Sequence, residues 1–368
     1  MKIVFFSNSF WSIYNFRKNL ILNLIKKKNT VVVLGPTDNF SAKLKKMGCE
    51  TVVFSFENNR IGLFSEIITL FRLFFALKKI KPDILLNFTI KPLIYGSYIS
   101  GLLGIRTINL ITGLGTNFVK FDALSKLILF LFKISFKKVA HVFFQNSNDL
   151  NLFLNNKIIV KKKSSIVPGS GVDVNYFNYK KLKFSKKIKF IMISRMLHEK
   201  GVFEFIESGK KLLKEKYNCE FQLIGPVITN NSSSFSNNEL NEMIPSRYFK
   251  YIGNVEDVRH YIENSDCVVL PSYREGTPRS LLEALSMGRP IITTDAIGCK
   301  SIVKPGYNGI RCKARNIESL YSAMKKYMLL KHKERVKMSL NARTFVEKKY
   351  KDSFVINKFL KKIYEKNK

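Results

Sequence analysis

The sequence predicts an α/β chain built from two Rossmann-like lobes. Short apolar segments alternate with amphipathic stretches along the 368 residues, a pattern typical of parallel sheets with helices on both faces. Glycine and proline cluster at residues 167–177, and a charged stretch follows at 180–189; together they divide the alternation into two halves. The length suits two domains of ordinary size. We therefore expect lobes at residues 1–178 and 187–345.

The first lobe is predicted to hold six strands separated by helices, with the strands at residues 2–7, 30–34, 51–54, 83–87, 106–111 and 140–145. One loop at a strand end contains Gly113 and Gly115. Paired glycines allow a ligand to approach the backbone closely, and they are equally typical of a plain tight turn. His141 lies inside the last of these strands and is therefore predicted to be a structural core residue.

The second lobe is predicted to begin with a strand at residues 188–194 and a loop that carries Arg195 and Lys200. Ligands of open α/β sheets bind outside the carboxyl ends of the strands. A guanidinium fork and an ammonium group at such a position suit a diphosphate. The alternative interpretation is two solvated surface cations. His198 lies between them and is expected to be a bystander, and the polar segment 229–238 is expected to be a mobile loop.

A strand, a loop and a short capped helix are predicted at residues 267–290. The apolar run 267–270 reads as a buried strand. Thr277 suits the N-cap of the helix and Pro278 its first position, whereas Gly288 suits the residue just past its end. The helix start leaves amide groups without internal partners, which favours phosphate binding. These amides belong to Gly276, Arg279 and Ser280.

Two carboxylates lie in this same unit, Glu275 in the loop and Glu283 in the helix, with seven residues between them. The segment Glu-Gly-Thr-Pro-Arg-Ser-Leu-Leu-Glu resembles the E-x7-E signature of glycosyltransferase family 4. The likeness is specific over residues 188–309, and in the first half of the chain it is one of layout. It implies a retaining enzyme with the GT-B architecture, in which two Rossmann-like lobes flank a central cleft.

The resemblance also implies roles for individual residues. Glu275 would orient the donor sugar, Glu283 would bind the nucleoside ribose, and Arg195 and Lys200 would hold the donor diphosphate. Asn254, which follows a predicted strand, would lie near the base. The loop after Glu275 would contact the sugar and the diphosphate through Gly276, Thr277, Pro278, Arg279 and Ser280. The loop of Gly113 and Gly115 would contribute substrate contacts from the first lobe, and a helix at 346–368 would pack back on that lobe.

No cofactor or metal is expected. The five cysteines and four histidines show neither a Cys-x-x-Cys pair nor a metal-ligand spacing, and no Asp-x-Asp chelate occurs. The N-terminal apolar run is too short for a signal peptide, and no stretch reaches the length of a membrane span. The expected location is the cytoplasm, peripheral on the inner face of the plasma membrane.

The net charge of +36 is divided evenly between the two halves of the chain, so compositional bias explains part of it. The alternative is an anionic membrane surface, because lysines surround apolar helical segments at 69–81 and 124–138. No nucleic-acid-binding motif is recognisable.

These observations predict a hexosyltransferase that moves a hexose or N-acetylhexosamine from a nucleotide-diphosphate sugar, with UDP favoured and GDP open. The expected acceptor is a polyprenyl-diphosphate-linked saccharide in surface polysaccharide, O-antigen or glycan synthesis. A nucleotide-sugar 2-epimerase of the same fold is one alternative, and it would need no acceptor. A basic membrane- or nucleic-acid-binding protein without activity is the other, and it would leave the paired cations and carboxylates unexplained.

Overall fold

The protein divides into two compact units. The structure, a computed structural model, describes residues 1–56, 62–114, 118, 122–229, 231–244 and 247–365. Unit 1 comprises Met1–Ser170 together with Phe354–Lys368, and unit 2 comprises Gly171–Ser353. The division falls within the predicted cluster of glycine and proline, several residues before the predicted end of the first lobe at 178. A Cβ at Gly171 would lie 2.4 Å from Cα of Asp352, so this position requires glycine.

Unit 1 contains a parallel sheet of seven strands in the order β3-β2-β1-β4-β5-β6-β7. Its core strands β1 and β4 are almost entirely buried, as expected for a sheet covered on both faces. The six predicted strands are present, and a short seventh was not predicted. The strands are β1 (Lys2–Phe6), β2 (Thr30–Gly35), β3 (Glu50–Val53), β4 (Ile84–Phe88), β5 (Arg106–Ile111), β6 (His141–Phe144) and β7 (Ser164–Ile166).

The helices of unit 1 connect these strands in chain order. They are α1 (Phe10–Lys26), α2 (Ser41–Lys46), α3 (Leu63–Ile80), α4 (Ile90–Leu103), α5 (Ala123–Ser135) and α6 (Ser147–Asn155). The helix α6 was not predicted. Its signal is present in the sequence, because the side chain of Asn146 caps the helix by accepting a hydrogen bond from the amide of Asp149 at 2.7 Å.

Unit 2 contains a second parallel sheet, with six strands in the order β10-β9-β8-β11-β12-β13. The five strands predicted from the apolar segments, at residues 188–194, 220–225, 251–253, 267–270 and 291–294, are present. The edge strand β13 was not predicted, since it is short and follows a turn-rich segment. The strands are β8 (Ile188–Ile193), β9 (Cys219–Ile224), β10 (Phe249–Gly253), β11 (Cys267–Leu270), β12 (Ile291–Thr294) and β13 (Gly309–Cys312).

The helices of unit 2 include one that replaces part of a predicted loop. Residues 229–238 were expected to be a mobile loop, yet Ser236 begins a helix through a reciprocal capping box with Glu239. The helix predicted at 255–264 is shorter than expected. The helices are α7 (Val202–Lys214), α8 (Asn237–Met243), α9 (Arg259–Glu263), α10 (Arg279–Ser286), α11 (Ile317–Leu329) and α12 (His332–Lys349).

The last helix, α13 (Asp352–Tyr364), lies mostly in unit 1 and packs on the sheet there. Its Phe359 ring is 4.5 Å from the ring of Phe143 and 6.5 Å from that of Phe88. Arg106 donates hydrogen bonds to the helix carbonyls of Lys362 and Ile363. The chain thus returns to unit 1 near residue 354, later than the predicted 346, because α12 belongs to unit 2.

His141 is a buried residue of β6, and it supports a prediction about pH. Its Nε2 lies 2.8 Å from Oγ of Ser165. Burial, assisted by the charge of Lys362, lowers the pKa of His141 to about 4. The histidine pKa in the unfolded chain is about 6.5. As the pH falls below that value, the imidazole is therefore protonated in the unfolded chain while it stays neutral in the native state. This stability is present above the unfolded pKa and is lost progressively towards the folded one.

We expect the free energy of unfolding to fall by about 2–3 kcal/mol through this residue between about pH 7.5 and pH 4.5. Urea unfolding of the wild type and of His141→Gln at both pH values measures the effect. Glutamine does not titrate, so the variant should show a pH dependence smaller by that amount. Equal pH dependence in the two proteins would contradict the assignment.

Candidate functional site

The predicted site residues of unit 2 lie where its sheet changes direction. Strand β8 has β9 on one side and β11 on the other, so the connections after β8 and β11 lead away in opposite directions. Such a switch point leaves a crevice at the carboxyl ends of the strands, where open α/β sheets bind their ligands. Arg195 and Lys200 follow β8, and Glu275 follows β11. The sheet order thus brings together two loops that are far apart in the sequence.

Lys200 and Glu275 form an ion pair that bridges these two loops. The Lys200 Nζ lies 2.5 Å from Oε1 of Glu275, and the side chains are 14% and 15% exposed. Removing either partner of a pair this poorly hydrated lowers the free energy of unfolding much more than removing one partner of a surface pair does. A bound anion would compete with Glu275 for the ammonium group.

The Arg195 loop is held by the polar segment that was expected to be mobile. The amide of His198 donates to the carbonyl of Ser233 at 2.8 Å, and Ser234 Oγ donates to the carbonyl of Met196 at 3.2 Å. Arg195 itself is exposed. Within the part of the chain that the structure describes, its guanidinium has no hydrogen bond or ion pair. The serine-rich composition of this segment gave no indication of the contact, because Asn/Ser runs usually indicate solvated loops.

Two glycines allow the site loops to approach each other. Gly201 has a φ of +78°, and a Cβ there would lie 2.4 Å from the carbonyl oxygen of Pro271. Gly298 has a φ of +83°, and a Cβ there would lie 2.2 Å from the carbonyl oxygen of Glu275. The amide of Glu275 donates to the carbonyl of Ile297 at 2.9 Å. Gly298 was not predicted as a site residue, although a glycine after a strand is a usual turn signal.

Further hydrogen bonds connect the Glu275 loop to the Lys200 loop. The Oγ of Ser272 and the amide of Tyr273 both donate to the carbonyl of Glu199, at 3.1 and 2.9 Å. The Tyr273 hydroxyl donates to Oε1 of Glu204, which is buried on α7, at 2.6 Å. Burial and this carboxylate raise the pKa of Tyr273, so the phenol stays protonated. These contacts fix the loop position, and the sequence offered no motif for them.

The helix α10 starts one residue later than predicted. Its N-cap is Pro278, with φ −67° and ψ 115°, and its first helical residue is Arg279. Thr277 is therefore not the cap, because the extended ψ of Pro278 keeps that residue outside the helix. Gly276 and Pro278 are buried, whereas Ser280 is half-buried. The end of the helix is as predicted, since Gly288 has a φ of +73° just beyond the C-cap Met287.

Glu283 lies one turn into α10, and its partner comes from the same helix. Its Oε1 accepts a hydrogen bond from Nε of Arg279 at 2.9 Å, and the side chains are largely buried. Burial raises the pKa of Glu283 above its usual value, the charge of Arg279 opposes this change, and Asp257 adds to it. Asp257 lies in the loop after β10. A largely buried carboxylate of this kind can accept hydrogen bonds from neutral hydroxyls.

Asn254 lies at the same edge of the sheet, directly after β10, and is exposed. Gly225, at the end of β9, donates its amide to the carbonyl of Gly253 at 2.8 Å. Loops after β8, β9, β10 and β11 therefore share one edge. The predicted site residues of unit 2 lie in these loops and in α10.

In unit 1, Gly113 lies directly beyond β5 with a φ of +115°, a conformation that favours glycine. Gly115, the other predicted residue of this loop, lies outside the described residues. The sequence did not indicate Thr89, which has φ +70° and ψ 156° at the end of β4. The switch point of this sheet lies between β1 and β4. Backbone strain of this kind in a β-branched residue concentrates at functional sites.

Possible metal ligands are dispersed. Within the described ranges, no group of three His, Cys, Asp or Glu side chains could hold an ion. All five cysteines are free and buried. Burial raises the pKa of Cys299, behind Glu275, to about 12, which makes its thiol unreactive.

Comparisons with known proteins identify both halves of the chain. A family model described as "Glycosyl transferases group 1" matches residues 177–345, and one described as "Glycosyl transferase 4-like" matches residues 2–146. The chain is 29% identical to the N,N'-diacetylbacillosaminyl-diphospho-undecaprenol alpha-1,3-N-acetylgalactosaminyltransferase of Campylobacter jejuni, over 98% of each chain. It is 25% identical to the UDP-Gal:alpha-D-GlcNAc-diphosphoundecaprenol alpha-1,3-galactosyltransferase of Escherichia coli, over 72% of this chain and 71% of that one.

The fold is shared with solved structures. HepE of Anabaena, crystallised with UDP and glucose, superposes with a TM-score of 0.81 at 15% identity, covering 99% of each chain. Such a low identity shows the fold alone. The predicted α/β architecture of two Rossmann-like domains is thereby confirmed as GT-B. From its two domain matches, its fold and its relatives, the chain belongs to glycosyltransferase family 4 and is an enzyme of the hexosyltransferase class.

Proposed function

We propose that the enzyme transfers a hexose or N-acetylhexosamine from a nucleotide-diphosphate sugar, with UDP as the favoured base, to a polyprenyl-diphosphate-linked saccharide. The observation that carries the proposal is the Lys200–Glu275 pair at the switch point of unit 2. A cation suited to a diphosphate lies there beside a carboxylate that can accept hydrogen bonds from sugar hydroxyls. The relatives from Campylobacter jejuni and Escherichia coli, both named for undecaprenyl-diphosphate-linked acceptors, support the acceptor class.

In this mechanism the leaving group is the nucleoside diphosphate. Cleavage of the anomeric C–O bond develops negative charge on its terminal phosphate, and groups fixed in advance around that charge lower the barrier. Arg195, Lys200 and the first turn of α10 would supply them, and together with the loop residues Gly276 and Thr277 they would hold the diphosphate. The proposal needs no metal, because these cations would neutralise the diphosphate.

The remaining residues bind the two ends of the donor. Glu275 would accept hydrogen bonds from the donor sugar, Glu283 would bind the ribose hydroxyls, and Asn254 would lie by the base. The acceptor hydroxyl would attack the anomeric carbon on the face from which the diphosphate departs, and its proton would pass to the departing phosphate oxygen. Configuration is then retained. Gly113, in unit 1, is proposed to contact the acceptor.

The polyprenyl tail of such an acceptor lies in a membrane, so the enzyme is proposed to work at the cytosolic face of the plasma membrane. The product would enter the synthesis of a cell-surface polysaccharide, O-antigen or glycan. The structural neighbour HepE was crystallised with UDP, and one relative is named for UDP-Gal. These two names support UDP over GDP.

A thermal-shift screen with UDP, GDP, ADP and their common sugars tests the donor site. A ligand that binds only the native state at 100 times its Kd adds about 2.7 kcal/mol of stability, which corresponds to roughly 5–10 °C in Tm for a unit of this size. We expect the shift with UDP ligands, unchanged by EDTA. A shift with GDP alone would change the base. A shift that EDTA abolishes would contradict metal independence, and no shift with any nucleotide would contradict the proposed function.

The acceptor requirement is tested separately with a UDP-sugar and a short-chain polyprenyl-diphosphate saccharide. UDP release should require the acceptor. Release of UDP or isomerisation of the sugar without any acceptor would favour an epimerase.

A further inference from the structure

One layer of helices in unit 1 is apolar on its outer side as well as on its inner side. Helices α3, α4 and α5 are adjacent, with α4 in the middle. Lys91 and Tyr95 of α4 bond to Glu66 of α3, and Lys138, just beyond α5, donates to the carbonyl of Gly101 on α4 at 3.0 Å. The three helices therefore form one continuous layer over the sheet.

The inner side of α3 accounts for only part of its apolar residues. Leu73 and Leu77 are fully buried against the sheet. A second stripe points outward at spacings of three and four residues, which places its members on one helical face. Its aromatic members Phe64, Phe71 and Phe75 are 78%, 62% and 63% exposed. Core packing does not explain this stripe, because burial of the helix is already complete on its other side.

The same arrangement is found on α5. Ile128, Leu129 and Phe132 are buried, and the exposed apolar residues are Leu124, Leu127, Phe130, Leu131 and Ile134. On α4, between the two, Tyr98 and Leu102 are exposed. The outward apolar residues of α3, α4 and α5 are called the apolar face below. Singly exposed apolar side chains are normal, whereas exposed apolar residues on each of three adjacent helices indicate an interaction surface.

The charge around the apolar face identifies its partner. Residues 62–81 and 122–138 carry eight basic and two acidic side chains. Lys126, Lys133 and Lys137 are exposed among or beside the apolar residues of α5 and its end. Lysine is depleted from protein–protein interfaces, but lysines around an apolar helix face are typical of helices that lie in a membrane interface and contact anionic headgroups. Among the described residues, no helix is long and apolar enough to cross a bilayer.

We infer that the apolar face docks unit 1 on an anionic phospholipid surface, with the rings of α3 and α5 at the level of the headgroups and the lysines on the phosphates. This contact involves the enzyme and bulk lipid, and it does not require the donor site. It would keep unit 1 beside acceptors that are themselves anchored in the bilayer. A second copy of the chain is the competing occupant, and the test distinguishes the two.

The test measures sedimentation of the full-length protein with vesicles of phosphatidylcholine alone or mixed with phosphatidylglycerol, without nucleotide sugar. We expect the wild type to bind the anionic vesicles preferentially. The double variant Phe71→Ser/Phe75→Ser should bind them more than about tenfold more weakly, since it removes two rings from the interface. Lys126→Gln/Lys133→Gln should weaken binding about 25-fold, from roughly fivefold for each lysine near the surface.

Matched variants in unit 2 control for general loss of apolar or basic surface. Phe203→Ser/Leu340→Ser replaces residues that are 44% and 52% exposed, and Lys214→Gln/Lys326→Gln replaces two exposed lysines; both should bind like the wild type. A UDP thermal shift on each variant reports on the donor site independently. A wild type that ignores vesicles, or Phe71/Phe75 and Lys126/Lys133 variants that bind as well as their controls, would overturn the inference. A wild-type dimer that the Phe71/Phe75 variant converts to a monomer would assign the face to a second copy.

Discussion

The Lys200→Ala enzyme should transfer sugar about 10²- to 10³-fold more slowly than the wild type, the usual loss when one preorganised group at the developing charge is removed. Lys200 is the cation that links the two loops of the switch point, through its 2.5 Å contact with Glu275. If it stabilises the departing diphosphate, kcat should fall more than the affinity for UDP. Steady-state kinetics with the UDP-sugar and acceptor, together with UDP binding by calorimetry, measure the two quantities separately.

The loss has a second possible origin, because the variant leaves the poorly hydrated Glu275 carboxylate without its partner. The double variant Lys200→Ala/Glu275→Gln separates the two effects: it removes the orphaned charge without restoring a cation. We expect it to be at least as slow as the single variant, because Glu275 is itself proposed to bind the donor sugar, and recovery would assign Lys200 a structural role only.

Lys210→Ala is the matched control, since Lys210 lies on α7 of the same unit and pairs with Glu207 at 2.8 Å. It should be as active as the wild type. Full activity of Lys200→Ala would remove Lys200 from the site.

Gly298→Ala should reduce both the stability and the activity of the enzyme. An alanine at φ +83° carries the left-handed cost of about 1–2 kcal/mol. Its Cβ would also lie 2.2 Å from the carbonyl oxygen of Glu275 and 2.6 Å from that of Gly276. The neighbouring backbone must move, at a further cost of about 1–3 kcal/mol. That movement displaces Glu275, and a displacement of about 1 Å can reduce turnover by about 10²-fold.

Gly306→Ala is the matched control for backbone strain. Gly306 has a φ of +75°, and a Cβ there meets nothing within 4 Å, so only the left-handed cost of about 1–2 kcal/mol applies. Urea unfolding and initial rates of both variants test the comparison. Gly298→Ala should lose more stability than Gly306→Ala and should also lose activity, whereas Gly306→Ala should keep the wild-type rate. Equal losses of stability and rate in the two variants would contradict the proposed packing of Gly298 under the Glu275 loop.

The local sequence sufficed for most elements and pointed to the candidate site residues of unit 2. Alternation of apolar segments predicted eleven strands at nearly their observed places, because buried parallel strands are short, apolar and bounded by turn residues. Glu275 and Glu283 were recognisable because one loop and one helix place both acids in a single continuous segment. Arg195 and Lys200 were recognisable because they follow a predicted strand, and strand ends of this fold class line ligand sites.

Elements with weak local signals were missed. Strands β7 and β13 lie at sheet edges and have three and four residues, too few for a periodic pattern. Helix α8 is recognisable only from its capping box, since its seven residues are mostly polar. Thr277 appeared to be the cap because threonine favours that position, whereas the extended backbone of Pro278 moved the helix start.

What the sequence determined by itself was the alternation of strands and helices and the chemistry of each loop, because hydrophobic periodicity, capping and turn preferences act over a few residues. Only the tertiary structure decided which loops meet. The order β9-β8-β11 brings Lys200 to Glu275 across 75 residues of chain. The serine-rich segment supports the Arg195 loop through backbone hydrogen bonds and one from the Ser234 side chain, and no periodic pattern in the sequence predicts them. The tertiary structure also decided which apolar stripes of α3 and α5 are buried and which are exposed. Burial depends on what packs against a helix face, and the sequence of the helix alone does not determine that.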